Sequence, residues 1–173
     1  MEELALRNQP CYDKEGNMLG WYSRSVAVAG FIFCRDNFGK IYFLACKRGK
    51  GTPDYQGYWN CPCGYLDFDE TTKEACCREV KEETGIDISP NILRFFKIDD
   101  KPSSNRQNVT ILYYGVIKSN RIEELTFSKE LNEKDEVDEI RWIPIDDISN
   151  YKFAFGHGKY LKDIWLSWEY SEN

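Results

Sequence analysis

A short acidic segment constrains this chain more than any other feature of its sequence. Glu79, Glu82 and Glu83 stand at spacings of three and four residues, so on a helix they lie on one side. Carboxylates this close repel each other, and the arrangement therefore requires a compensating cation. Carboxylate oxygens are the ligands that Mg²⁺ and Mn²⁺ prefer. The segment predicts a divalent-metal site, and a solvated acidic helix face is the alternative interpretation.

The residues around these carboxylates stand at fixed intervals along the chain. In order they are Gly64, Glu70, Arg78, Glu79, Glu82, Glu83, Gly85 and the aliphatic Ile86. Their identities and spacing resemble the signature box of the Nudix hydrolases at every specified position. Because so many identities at fixed intervals are involved, the pattern is far more specific than a lone glycine motif.

Composition sets limits on the kind of protein. A chain of 173 residues is expected to form one domain, residues 1–173, and its 42% hydrophobic and 15% aromatic content excludes a disordered chain. A net charge of −6 argues against a broad nucleic-acid-binding surface, although a metal can still bring a small anionic substrate to the protein. Without a run of about 20 apolar residues, the chain is predicted to be cytoplasmic and to have no membrane partner.

The seven cysteines are predicted to be reduced thiols rather than a disulfide framework. Cys76 and Cys77 precede Val80 by four and three residues and are expected on the apolar face of the box helix. A zinc site that uses them together with Cys61 and Cys63 is a minor alternative, because the spacings differ from those of paired zinc ligands.

Hydrophobic patterns and turn residues predict two helices and five strands. The predicted strands cover residues 25–34, 41–46, 93–98, 109–117 and 139–144, and the predicted helices begin near 71 and 160. The first two strands are expected to form a hairpin. The Nudix resemblance implies an α/β (α+β) fold, a Nudix-type α/β/α sandwich with a mixed β-sheet.

The resemblance also implies roles for the box residues. Glu79, Glu82 and Glu83 match the positions whose carboxylates coordinate Mg²⁺ or Mn²⁺ in the family. Glu70 matches a glutamate that supports the site, and Arg78 is expected to orient a box carboxylate. Two further expectations lie at the start of the box: Cys63 offers its backbone carbonyl to the metal, and Gly64 permits a turn into the helix.

A second carboxylate position is predicted outside the box. Metal-assisted hydrolysis of a diphosphate requires a carboxylate that positions or deprotonates water. Glu82 and Glu83 are candidates, and Glu136, six residues before Trp142, fits a family position for an additional metal ligand or base. An ordinary acidic loop is an equally weighted interpretation of Glu136.

The substrate is less constrained by the sequence. Arg48 is a candidate phosphate ligand and Tyr58 a candidate for stacking on a base, although solvated charge and core packing are the alternatives. Pro102 lies sixteen residues beyond Ile86, as a proline does in family members that hydrolyse ADP-ribose, and Arg106 in the same loop is a further phosphate candidate.

These patterns predict a metal-dependent hydrolase that cleaves the pyrophosphate of a small nucleoside diphosphate derivative, ADP-ribose-like or a dinucleotide. The alternatives are a housecleaning nucleoside triphosphate pyrophosphatase and a nucleotide-binding sensor without catalysis. The expected partner is a small nucleotide, and the resemblance allows a homodimer.

Overall fold

The computed structural model describes residues 8–102, 107–119 and 135–172, with side chains described as far as Trp168. Nine strands and two helices are present in these ranges. The strands are β1 Gln9–Tyr12, β2 Met18–Tyr22, β3 Val26–Arg35, β4 Ile41–Arg48, β5 Trp59–Asn60, β6 Cys63–Tyr65, β7 Arg94–Asp99, β8 Val109–Lys118 and β9 Val137–Pro144, and the helices are α1 Thr72–Thr84 and α2 His157–Glu172. Short 3₁₀ segments occupy Pro90–Ile92 and Ile145–Asn150.

The main sheet is mixed, as the fold prediction requires. β3 and β8 run parallel over ten paired residues, whereas the pairs β3–β4, β7–β8 and β4–β9 are antiparallel. The predicted hairpin of β3 and β4 is confirmed, and its turn is closed by backbone bonds between Asp36, Gly39 and Lys40. The strands β1, β2, β5 and β6 are absent from the predictions because each is too short to show a hydrophobic period.

Two apolar clusters lie on opposite faces of the sheet. One contains Val28, Leu44, Cys76 and Val80 and packs under α1, and the other contains Phe31, Phe43, Leu161 and Ile164 and packs under α2. The helical stripe predicted near residue 160 is therefore core, and the α/β/α layering is confirmed. Among the described residues, no helix is both long and apolar enough to cross a membrane.

One edge of β3 is divided between two partners. Its last residues, Phe33–Arg35, pair with β4, whereas Ala27–Ala29 at its beginning pair with β6. Between these pairings the backbone N–H of Gly30 donates to the carbonyl oxygen of Pro62 at 2.9 Å. The sheet therefore opens on this side of β3, and the opening is where the candidate site lies.

Helix α1 has well-defined ends, as its sequence predicts. The Thr71 hydroxyl accepts from the backbone N–H of Glu74, and the Glu74 carboxylate accepts from the backbone N–H of Thr71, which forms a capping box. At the other end Gly85 has a φ of 76°, a left-handed conformation that favours glycine, and its N–H donates to the Lys81 carbonyl. These caps fix which side chains of α1 face the opening beside β3.

Candidate functional site

The three box glutamates lie on the side of α1 that faces the opening, at graded depth. The side chain of Glu82 is 51% exposed, that of Glu79 is 13% exposed, and Glu83 is partly buried against β6, with its Oε2 inaccessible to solvent. The carboxylates therefore form a wall that runs from solvent into the protein interior, which the solvated-face interpretation of this segment does not predict.

Arg78 compensates the charges of Glu70, Glu79 and Glu82. Its guanidinium makes two bonds to the Glu70 carboxylate, of 3.1 and 2.9 Å, and donates through Nη1 to Glu79 at 2.8 Å and Glu82 at 3.0 Å. Nη2 also donates to the Tyr65 carbonyl. The planar, multidentate donor set explains why arginine rather than lysine suits this position. The Arg78 hydrogen bonds lower the pKa of Glu70.

Gly64 is required by close packing rather than by backbone conformation. It lies within β6, and a Cβ atom added there would stand 2.1 Å from Oε1 of Glu79. The expectation that Gly64 provides a turn is therefore wrong, because the residue is in a strand and its φ is not positive. Its missing side chain leaves the space in which the Glu79 carboxylate lies.

Burial changes the acid strength of the two deeper glutamates. The pKa of Glu83 is raised to about 8, chiefly by burial and further by the negative charge of Glu79, while the backbone N–H of Cys63 opposes the shift. That N–H donates to Glu83 Oε1 at 3.2 Å, whereas Oε2 is buried without a partner in the described part of the chain. Burial also raises the pKa of Glu79, and Arg78 opposes this. Such perturbed carboxylates are typical of functional sites.

The carboxylates open onto a cavity of about 640 Å³. Among its lining residues, we name one group from β6 and α1 the carboxylate wall: Gly64, Arg78, Glu79, Glu82 and Glu83. We name a second group, from other parts of the chain, the loop wall: Arg48, Thr52, Asp54, Asn60, Glu136, Phe155 and His157. This volume suits a ligand of nucleotide size.

Backbone contacts between two loops bring Glu136 to the cavity. The N–H of Gly49 donates to the Glu136 carbonyl at 2.7 Å, and the N–H of Gly51 donates to the Asp135 carbonyl at 3.0 Å. A side chain at Gly49 would collide with that Asp135 oxygen, at 2.1 Å from its Cβ. Glu136 therefore lines the same cavity as the box carboxylates, and its role as a second carboxylate stays a prediction.

The predicted substrate residues are dispersed. Arg48 lines the cavity, but its guanidinium already bonds to the Asp54 carboxylate at 2.6 Å and lies 4.6 Å from the Phe155 ring centre. Tyr58 and Pro102 are exposed and do not line this cavity. Arg106 lies outside the described residues. Cys63 lines the cavity next to Glu83, at the position predicted to offer a carbonyl.

Sequence reasoning missed five residues of the loop wall, namely Thr52, Asp54, Asn60, Phe155 and His157. His157 is buried, and its Nδ1 accepts from the backbone N–H of Cys61 at 3.2 Å, so the neutral ring carries its proton on Nε2. The position of the chain's one histidine was visible in the sequence, but its partner is 96 residues away. The cysteines are free thiols in the described structure.

The donor set fits a divalent cation. The oxygens are hard carboxylate ligands, and Oε2 of Glu83 is buried and accepts no hydrogen bond from the described residues. Among the described residues, no three His, Cys, Asp or Glu side chains are already grouped closely enough to hold an ion, and Arg78 bridges Glu79 and Glu82. An ion in this cavity would be held by Glu79, Glu82 and Glu83, after a change in the bonds that Arg78 makes to the first two.

Comparisons with known proteins identify a family match and similar hydrolases. The family description "NUDIX domain" matches residues 24–164. The chain is 30% identical over 145 residues to an ADP-ribose pyrophosphatase of Methanocaldococcus jannaschii, which covers 84% of this chain and 75% of that protein. It is 28% identical over 140 residues to mRNA-decapping enzyme subunit 2 of Saccharomyces cerevisiae, with coverage of 81% of this chain. The chain spans only 13% of the length of that yeast protein.

A solved structure has the same fold. The NUDIX domain of Shewanella oneidensis NrtR, in complex with ADP ribose, superposes with a TM-score of 0.68 and 17% identity. The match covers 90% of this chain and 93% of that one. At this identity the likeness establishes the fold alone.

Proposed function

Because this chain belongs to the Nudix family, we propose that it is a metal-dependent pyrophosphohydrolase that acts on a small nucleoside diphosphate derivative of the ADP-ribose class. One observation carries the proposal. The buried Glu83 carboxylate, with an unpaired oxygen and a raised pKa, lies beside Glu79 at the wall of a cavity of about 640 Å³.

In the proposed hydrolysis, different side chains bind the metal, position the carboxylates and accept a proton. A divalent metal, when bound by Glu79, Glu82 and Glu83, supplies the positive charge that a diphosphate requires. Arg78 and Glu70 hold the carboxylates in place through their hydrogen bonds. Glu83, or Glu136 on the loop wall, accepts the proton of the attacking water. Water adds across the P–O–P bond, and each phosphorus fragment leaves as a monophosphate.

The substrate class rests on the cavity and on similarity. The opening accommodates a nucleotide, and the M. jannaschii relative is named as an ADP-ribose pyrophosphatase. Mg²⁺ or Mn²⁺ as the cofactor follows from the hard oxygen ligands. Action in the cytoplasm and a homodimeric state remain part of this proposal.

A substrate panel tests the proposed function. ADP-ribose, NADH, dinucleoside polyphosphates and nucleoside triphosphates are incubated with Mg²⁺ or Mn²⁺, and the phosphate products are identified by ³¹P NMR. We expect ADP-ribose to give AMP and ribose 5-phosphate, and a chelator to abolish the reaction. Preferential release of pyrophosphate from triphosphates supports the housecleaning alternative instead. Tight nucleotide binding without turnover of any compound overturns the enzyme proposal.

A further inference from the structure

Arg24 is an exposed residue, yet three backbone carbonyl groups hold its guanidinium in place. Nη2 donates to the Asp100 oxygen at 2.8 Å and to the Asn108 oxygen at 3.1 Å, and Nε donates to the Gln107 oxygen. Ordering a long side chain at the surface costs conformational entropy, which these charge-assisted bonds offset. The contacts join the segment before β3 to both ends of the connection between β7 and β8.

The backbone held by Arg24 carries residues that line the cavity. Four polar residues of the cavity lining belong to this region, and we name them the polar patch: Ser25, Gln107, Asn108 and Thr110. The first two are exposed and the last two are half-buried, so solvent and small molecules reach them. Thr110 pairs with Ala27, another lining residue, in the parallel register of β3 and β8. The patch therefore lies where these two strands begin.

Asn108 and Thr110 offer hydrogen-bonding groups of both kinds. Nδ2 of Asn108 donates to Oγ1 of Thr110 at 2.8 Å. Whichever way the amide is turned, one bond between an amide and a hydroxyl leaves the pair with a further donor and a further acceptor. A sugar hydroxyl matches such a pair because it donates and accepts at the same time. A phosphate group is matched by cationic partners instead, and the polar patch contains no charged side chain.

We propose that Arg24 is a positioning residue for substrate binding, and that it holds Asn108 and Thr110 where they bind the hydroxyl groups of the substrate's sugar. Arg24 acts through its bonds to the backbone and does not contact the substrate. The sugar is the nucleoside ribose or the sugar beyond the diphosphate, since both present the same hydroxyl chemistry. The proposal rests on the function proposed above, because it assigns part of the substrate to the same cavity.

Matched sugar pairs test the proposal in the unmodified protein. AMP is compared with its 2′- and 3′-deoxy forms, and ribose 5-phosphate with 2-deoxyribose 5-phosphate, by titration calorimetry. We expect the compound with the hydroxyl to bind about 3- to 10-fold more tightly in at least one pair, the effect of one hydrogen bond. The pair that shows the preference identifies the sugar. Equal affinities within every pair overturn the proposal.

The Arg24→Ala variant tests the positioning role. We expect KM for the best substrate to rise by about 5- to 10-fold with less than a twofold change in kcat, and the hydroxyl preference to disappear. Arg94→Ala, at the exposed beginning of β7, is the matched control and keeps both KM and the preference. A purely structural role for Arg24 lowers the melting temperature but leaves KM and the preference unchanged, and that result overturns the proposal.

Thr110→Val provides a second variant, in which the side chain keeps its shape and loses its hydroxyl. We expect it to reduce the same preference, so it serves as the test where Arg24→Ala does not fold. A preference that is unchanged in Thr110→Val overturns the placement of the sugar.

Binding and turnover separate this proposal from the proposed function. A hydroxyl preference that Arg24→Ala removes, in a protein that hydrolyses no compound of the panel, supports the role of Arg24 while the hydrolase proposal fails. Turnover of ADP-ribose without any hydroxyl preference does the opposite.

Discussion

The two walls of the cavity are built in different ways. The carboxylate wall comes from one stretch of chain, β6 and α1, and its side chains contact each other directly. The loop wall is assembled from residues near 48–60, 136 and 155–157, which meet only through the fold. In the function proposed above, the first wall carries the hydrolytic chemistry, whereas the second is expected to contact the part of the substrate that varies.

This difference predicts which wall tolerates amino-acid substitutions. In the carboxylate wall the single residue Arg78 contacts three glutamates, Glu70, Glu79 and Glu82. A substitution of Arg78 therefore alters several groups at once. In the loop wall Arg48 forms an ion pair with Asp54, and the Phe155 ring contacts both Arg48 and His157. We therefore expect large losses of activity from the first wall and smaller, more selective ones from the second.

Glu83→Gln is expected to have the largest effect. The change keeps the shape of the side chain but removes both the metal ligand and the proton acceptor, so kcat should fall by about 10²- to 10⁴-fold. Steady-state hydrolysis of the best substrate in the panel measures this. Asp163→Asn, at an exposed position on α2, is the control and should change kcat by less than about twofold. A Glu83→Gln enzyme within threefold of wild type contradicts the role given to this residue.

Gly64→Ala tests whether the carboxylate wall depends on close packing. The new Cβ would collide with the flexible end of Glu79, which can move, so the fold should survive while the carboxylate is displaced. We expect kcat to fall by about 100-fold, as small displacements of catalytic groups can cause. Gly20→Ala is the matched control, since Gly20 also lies in a strand and has nothing within 4 Å. A melting temperature that falls sharply together with kcat would show that the effect is one of folding.

Glu136→Gln examines the contribution of the loop wall to the chemistry. Because the box carboxylates remain in place, we expect kcat to fall by only about 10-fold. This loss is smaller than the loss of a sole general base would cause. The measurement is metal-dependent turnover across a range of Mg²⁺ concentrations. Unchanged turnover at every concentration would falsify the proposal that Glu136 takes part, and the ordinary acidic-loop interpretation would then hold.

The pH dependence of stability gives the smallest expected effect. Glu83 has a folded-state pKa of about 8, above its ordinary value of 4.5. Between these values the unfolded chain releases the proton and the folded protein keeps it, so the free energy of unfolding falls as pH rises through this window.

In the presence of a chelator, we expect the melting temperature to fall by about 5 °C between pH 6 and pH 8. Glu83→Gln should remove this part of the dependence, and differential scanning calorimetry measures both proteins. An identical decline in the variant assigns the pH dependence to other groups.

The contrast between the walls also explains what the sequence could predict. Glu79, Glu82 and Glu83 share a helix face, and capping residues locate that helix, so their grouping follows from local geometry. Asn60 and His157 are brought to the cavity by pairings between residues distant in the chain, such as the contact from Cys61 to His157. No local pattern records such a pairing. The sequence also could not show why a glycine is needed at position 64. The need arises from the closeness of the Glu79 carboxylate and not from a backbone angle.

The divided edge of β3 has a consequence for how such a protein can diversify. Each wall of the cavity is attached to a different partner of that strand, one to β6 and the other to β4. Beyond Gly49 and Gly51, whose backbone bonds hold Asp135 and Glu136, we expect the loop after β4 to tolerate exchange while the register of β6 against Ala27–Ala29 stays fixed. On the proposed function, the protein would combine a fixed reaction module with a separately attached recognition module, so that specificity could change without rebuilding the chemistry.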